Sequence, residues 1–293
     1  MRVRPGTGRT RSGGTPAFHL RAARAQCAGK STLLSILINA LPPTSGSAEV
    51  LGVPSTRLGS KTLAQIGYVA ESQELPTWMR GQELLRFLKP LYPGWDDAFV
   101  DRLRVTLETP LDRKLANLSR GQQMKVRLLA AMAYRPQLLI LDEPFSGLDP
   151  LVREELAQGL LELVGESDWT VVLASHDVDE LERLADHAGF ISGGKLRFSG
   201  EMEALQARTH RVEARLQDDR AAFPAEPPQA GWREWHPLGP SVTFIDADFD
   251  AEATQATLAK SGPLAHFDHR SLSLREIFVS TSRHERTLAR AAV

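Results

Sequence analysis

Apolar residues recur along this 293-residue chain in two textures, short unbroken runs and stripes at helical period, and each change of texture marks an element. Leu138 to Leu141 (LLIL), bounded by Pro136 and Asp142, and Thr170 to Ala174 (TVVLA) read as buried parallel strands. Leu151 to Val164 lies between them with a helical stripe, and Val178 to Asp186 follows with another. Upstream, Lys30 to Leu41 spaces Leu33, Leu34, Ile36, Leu37 and Leu41 as a helix that Pro42 and Pro43 stop. Ala48 to Leu51 and Ile66 to Val69 read as short strands between Gly and Pro punctuation, and Gly81 to Tyr134 is helical apart from YPGWD at Tyr92 to Asp96. Strand and helix in alternation predict an α/β fold on a parallel sheet. Gly193 and Gly194 turn a hairpin between Ala188 to Ser192 and Lys195 to Ser199.

Beyond Glu201 the pattern changes to strands at Val212 to Leu216, Val242 to Ile245 and Ala265 to His269, and helices at Ala251 to Lys260 and Leu274 to Ala291. Pro224 to Gly239 (PAEPPQAGWREWHPLG) reads as a Pro-rich connection. The expected organisation is therefore a segment 1–26 set apart by composition, a main domain over 27–205 and a small α+β domain over 206–293.

Composition narrows the partners. Lys and Arg number 35 against 36 Asp and Glu, a net charge of −1, so no general electrostatic attraction to nucleic acid or anionic lipid is expected. A single cysteine, Cys27, excludes an internal disulfide framework and fits a reducing compartment. No apolar run reaches the roughly 18 residues that span a bilayer, so any membrane role is expected through a partner.

Candidate chemistry sits at motif positions. AGKSTLL at Ala28 to Leu34 is the second half of a phosphate-binding loop G-x-x-x-x-G-K-[ST]: Gly29, Lys30 and Ser31 fit, but Arg24 stands at the first glycine position and Cys27 at a further one. Glycine's positive φ and close backbone approach cannot be supplied by those side chains. Lys30 would neutralise β and γ phosphates, the Ser31 hydroxyl would face Mg2+, and Thr32 follows at the helix N-terminus. In LLILDEP at Leu138 to Pro144, Asp142 ends a buried strand where open α/β sheets bind ligands, placed to hold Mg2+ through water, and Glu143 is placed to orient or deprotonate an attacking water. A solvated acidic pair ending a strand is the plainer alternative.

LSRGQQ at Leu118 to Gln123, SGLD at Ser146 to Asp149 and SHD at Ser175 to Asp177 complete a motif order that resembles the ATP-binding cassette family from Ala28 to about Gly200. The resemblance implies a P-loop NTPase cassette with a helical subdomain, followed here by the small α+β C-terminal domain. It implies ATP and Mg2+ as ligands, and two cassettes facing head to tail with ATP sandwiched between them. Ser119, Gly121 and Gln122 would then contact the partner's nucleotide, and Asp149 would organise the interface. His176 would bond the γ-phosphate, and Gln73, after IGYVAES, would approach Mg2+ and the water. Arg120 replaces the first glycine of LSGGQ, a change the family tolerates. Each piece has a bland counterpart: Ser119 as a helix cap, His176 as a polar strand end, Gln73 as a surface loop residue.

The stretch Leu75 to Trp95 carries Trp78, Met79, Phe87, Tyr92 and Trp95, in the region where the family docks a membrane subunit, and one or two of these aromatics are expected on that surface. SLSLREIFVSTSR at Ser271 to Arg283 resembles the end of cassettes that serve two-subunit exporters of the ABC-2 type. These features imply the cytoplasmic ATPase subunit of an ABC exporter, a homodimer, peripheral on the inner face of the membrane through an ABC-2 permease, with no nucleic acid expected. The alternatives are a cassette of nucleic-acid metabolism and a catalytically impaired cassette.

The impaired reading turns on the first residues. Met1 to Cys27 carries arginines at 2, 4, 9, 11, 21 and 24, and the first acidic residue is Glu49. A transit peptide has that profile, yet it would be followed by the strand feeding the phosphate loop, and Lys30 arrives at once. Shifting the codons of RAARAQC at Arg21 to Cys27 forward by one nucleotide permits Gly or Ala followed by LLGPN. One added G completes a glycine codon and restores the frame at Ala28, giving LLGPNGAGKSTLL. Residues up to about Gln26 are thus read as an out-of-frame translation, leaving Phe18 and His19 as the only candidates for the aromatic that stacks on adenine.

Overall fold

A computed structural model describes residues 2–3, 19–26, 29–165 and 169–291. Two compact units divide between Ser199 and Gly200, where the sequence pattern put the division at 205.

In chain order the first unit begins with β1 (Arg2–Val3), β2 (His19–Gln26), α1 (Lys30–Leu37), β3 (Glu49–Val50), β4 (Val53–Pro54), α2 (Ser60–Leu63) and β5 (Ile66–Val69). Then come α3 (Gly81–Leu88), α4 (Asp97–Thr106), α5 (Arg120–Met132), β6 (Leu138–Asp142), α6 (Pro150–Gly165), β7 (Thr170–Ala174), α7 (Val178–Leu184), β8 (His187–Ser192) and β9 (Lys195–Glu201). The main sheet runs β5-β6-β7-β2-β8-β9, and its pairings from β5 to β8 are parallel. Every residue of β6 and β7 is buried, which is why those strands read as continuous apolar runs. Leu34 and Leu37 of α1 pack on Leu138, Ile140 and Val172, fixing the helix across the strand that ends in Asp142. Helix α1 stops at Leu37, short of the predicted Leu41, because Asn39 turns to φ 62 before the prolines. A separate helical cluster of Leu84, Leu115, Leu118 and Val126 anchors α3 and the start of α5.

Within the main sheet, one strand was not visible in the pattern. The spacing gave no strand before Lys30, yet β2 lies parallel between β7 and β8, in register from His19 opposite Thr170 to Gln26 opposite Ser192. Arginines at 21 and 24 break the apolar run by which a buried strand is recognised.

The second unit holds α8 (Met202–Arg208), β10 (His210–Leu216), β11 (Trp232–Leu238), β12 (Ser241–Asp246), α9 (Ala251–Leu258), β13 (Leu264–Ser271) and α10 (Leu274–Ala291). Its sheet, ordered β11-β12-β10-β13, is antiparallel throughout. Val212, Ala214 and Leu216 alternate inward to meet Trp232, Phe244 and Leu258. The segment read as a Pro-rich connection thus contains β11. Pro237 is tolerated because β11 is an edge strand, and the register shifts between Arg233 and His236 around Glu234 at φ 50. Helix α8 was also missed, being only two turns long.

Candidate functional site

The C-terminal ends of β6 and β7 and the N-terminus of α1 bring five sequence-predicted residues together. Gly29 begins α1 at φ 124, a conformation that suits glycine alone, and its carbonyl accepts from Leu33 N at 2.8 Å. That turn delivers Lys30 and Ser31 beside β6. Lys30 Nζ pairs with Glu143 Oε1, and Ser31 hydrogen-bonds Asp142. Thr32 follows, exposed, on the same first turn.

Glu143 lies just past β6 with a left-handed backbone, φ 51, its N–H donating to Ala174 O at 2.8 Å. Its other carboxylate oxygen, Oε2, meets His176 Nδ1 at 2.6 Å and accepts from His176 N at 3.2 Å. Lys30 and Glu143 are nearly buried, whereas the His176 side chain is 69% exposed. The carboxylate is therefore held from within by an ammonium and from without by an imidazole that faces solvent.

Asp142 is buried, and burial, its largest influence, pushes its carboxyl above the usual range. The Ser31 hydrogen bond opposes this, the charge of Glu143 adds to it, Lys30 opposes, and Glu71 adds. Oδ1 of Asp142 has no hydrogen-bond partner among the described residues. An orphaned buried oxygen beside a serine hydroxyl is a hard-oxygen donor set that fits Mg2+.

Gln73 does not join this group: it is exposed in the turn after β5, its N–H donating to Ala70 O at 3.2 Å. The residues around that turn whose electrostatics reach Asp142 are Glu71 and Tyr68, and burial together with the charge of Asp142 pushes the Tyr68 phenol up. Register carried the signal. Val69, the last residue of β5, pairs with Leu141, so the chain leaves the sheet beside the end of β6.

The signature residues stand at the N-terminus of α5. Ser119 Oγ accepts from Gln122 N at 3.2 Å while Gln122 Oε1 accepts from Ser119 N at 3.1 Å, a capping box that leaves Ser119 exposed. Gly121 packs so closely on the start of α6 that an added Cβ would lie 2.5 Å from Val152 Cγ1. Asp149 Oδ1 accepts from Val152 N at 3.1 Å and is exposed just ahead of α6. Arg120, also exposed, comes within 3.1 Å of where a Cβ on Gly147 would stand.

Cys27 and Phe18 lie outside the described residues; Arg24 lies in β2 and His19 begins it. Residues 24–26, where a phosphate loop would leave the sheet, remain paired with Phe190, Ile191 and Ser192 of β8.

Comparison with known proteins agrees with the geometry. The ABC transporter family profile matches residues 26–146. An ABC transporter ATP-binding protein of Alkalihalophilus pseudofirmus is 28% identical over 258 residues, 86% of this chain and 95% of that one. The bacitracin transport ATP-binding protein BcrA of Bacillus licheniformis is 29% identical over 198 residues, 67% of this chain and 65% of its own. Among solved structures, an ATP-binding subunit of an ABC transporter superposes with TM-score 0.57 at 26% identity, covering 64% of this chain and 81% of that one. A dimeric ATP-binding cassette bound to ADP and Pi, at 23% identity and TM-score 0.55 over 62% and 85% of the two chains, shares the fold. With the lysine, the acidic pair and the histidine assembled at the C-terminal ends of β6 and β7, the chain is similar in sequence and fold to the ATP-binding subunits of ABC transporters.

Proposed function

We propose that the chain is the ATPase subunit of an ABC exporter, working as a homodimer on a separate permease of the ABC-2 type, peripheral on the cytoplasmic face of the membrane. The observation that carries this reading is Glu143 held between Lys30 and His176 at the tip of a buried strand. A base for water, a cation for phosphate and a second γ-phosphate contact converge there. Lys30, Gly29 and Thr32 at the start of α1 bind the nucleotide phosphates, and Ser119, Gly121, Gln122 and Asp149 serve the nucleotide on the partner cassette. Ser31 and Asp142 would hold Mg2+, and Gln73 or Glu71 in the turn after β5 would be the further contact. The metal supplies charge neutralisation at the β and γ phosphates.

Export rests on softer support: likeness to the bacitracin transport protein and the closing run Ser271 to Arg283. Among the described residues no helix is long and apolar enough to cross a membrane, which fits a permease on another chain. Of the residues flagged for docking, Trp78 and Phe87 are exposed, Met79 packs on the helical core, Tyr92 stacks on Tyr134 at 4.0 Å and Trp95 is half-buried. Trp78 and Phe87 are thus the residues for the permease contact. Purification from membranes tests it: the tagged chain is expected to bring down an integral-membrane protein through Trp78 and Phe87. Retention of nucleic acid with no membrane protein would favour the rival reading.

The out-of-frame reading of residues 1–26 enters here as well. Residues 24–26 stay paired with β8 where a phosphate loop would leave the sheet, and that supports weak nucleotide binding by the chain as written. The gene's nucleotide sequence decides it, since the shifted frame must read LGPN.

A further inference from the structure

Arg153 lies one turn into α6, four residues beyond Asp149, and its side chain leaves its own helix to reach the residues flanking His176. Its Nη1 donates to Asp177 Oδ2 at 3.1 Å and lies 3.3 Å from Glu180 Oε1. The second Glu180 oxygen, Oε2, accepts from Ser175 Oγ at 2.7 Å. Ser175 Oγ in turn accepts from Asp177 N at 3.0 Å. Asp177 Oδ1 caps α7 by accepting from Asp179 N at 3.1 Å. The residues before and after His176 are thereby tied to one guanidinium, while the imidazole itself is mostly in solvent and touches Glu143.

We propose that Arg153 is a positioning residue that sets the His176 bend against Glu143 by bridging Asp177 and Glu180, so that the segment carrying Asp149 and the γ-phosphate histidine move together. This rests on the reading that His176 serves ATP hydrolysis. The physics is a cation between two anions. Without Arg153, the Asp177 and Glu180 carboxylates face each other unneutralised, and their repulsion opens the bend that Ser175 and Asp177 close. One nitrogen makes both contacts, so a lysine ammonium can replace it, whereas a bidentate site would reject that exchange.

The test reads the His176 ring resonance of the full chain by NMR without nucleotide, alongside its thermal midpoint. In Arg153→Ala the resonance is expected to move toward that of a solvent-exposed histidine with no carboxylate partner, and in Arg153→Lys to stay at the parent position. Were the alanine variant not to fold, Glu180→Gln carries the test, because it keeps an acceptor for Ser175 and removes a charge that Arg153 binds; a smaller move in the same direction is expected. An unmoved His176 resonance in a folded Arg153→Ala or Glu180→Gln chain overturns the proposal, as does an equal displacement in Arg153→Lys. Because no nucleotide is present, a failure to hydrolyse ATP would count against the ATPase reading and leave this result standing.

Discussion

At the scale of single residues, the acidic pair at the end of β6 divides two tasks by environment. Glu143 is neutralised by Lys30 and contacted by the His176 ring, whereas Asp142 is buried with one oxygen unpartnered among the described residues. A carboxylate whose folded pKa is raised opposes folding wherever it is ionised, so the penalty is largest at neutral pH and fades as acid protonates it in both states. Asp142→Asn is therefore expected to raise the thermal midpoint at pH 7, by about 1–2 kcal/mol of stability, while abolishing metal-dependent ATP turnover. The gain should shrink as pH falls. A lower midpoint in the variant at pH 7 contradicts this. Both acids were legible from a run of apolar residues ending in Asp-Glu. The left-handed backbone of Glu143 was not, since no residue type in LLILDEP marks it; it follows from the N–H bond to Ala174 across the sheet.

At the scale of elements, local signals were read well where one residue decides and poorly where a neighbour does. The S-x-x-Q at Ser119 to Gln122 was legible as a cap, and the cap forms. Strand β11 was hidden by its proline, because edge position is a property of the sheet and not of the segment. Gln73 was picked by type, while Glu71, two residues nearer the strand, is the one whose charge reaches Asp142. The junction of β13 and α10 yields a pH prediction. Arg270 grips Glu276 through two nitrogens at 3.0 and 2.6 Å, and Ser273 N donates to the same carboxylate at 3.1 Å. The Arg270 hydrogen bonds are the main cause holding Glu276 down, from 4.5 to about 2. A depressed carboxylate stabilises above its unfolded pKa, so this contribution is present above about pH 4.5 and lost toward pH 2. Denaturant midpoints measured over that window should fall less steeply in Glu276→Gln than in the parent. Parallel curves would show that the pair does not contribute.

At the scale of the whole molecule, each unit has its own sheet and core. What the pattern could not yield was β2, which pairs with β7 and β8 although arginines at 21 and 24 interrupt its sequence. That strand also joins the two halves of the functional reading. It brings the chain to Gly29 and Lys30, yet it holds residues 24–26 in the sheet where a phosphate loop has to leave it. Equilibrium ATP binding, measured on the full chain and on the same chain with Met1–Cys27 replaced by the in-frame segment ending in LLGPNG, bears most directly on this. Binding that is weak or absent in the first and roughly micromolar in the second is expected, with the gain lost in Lys30→Ala. Micromolar binding by the chain as written would contradict the damaged loop. No binding by the repaired chain would contradict the site itself.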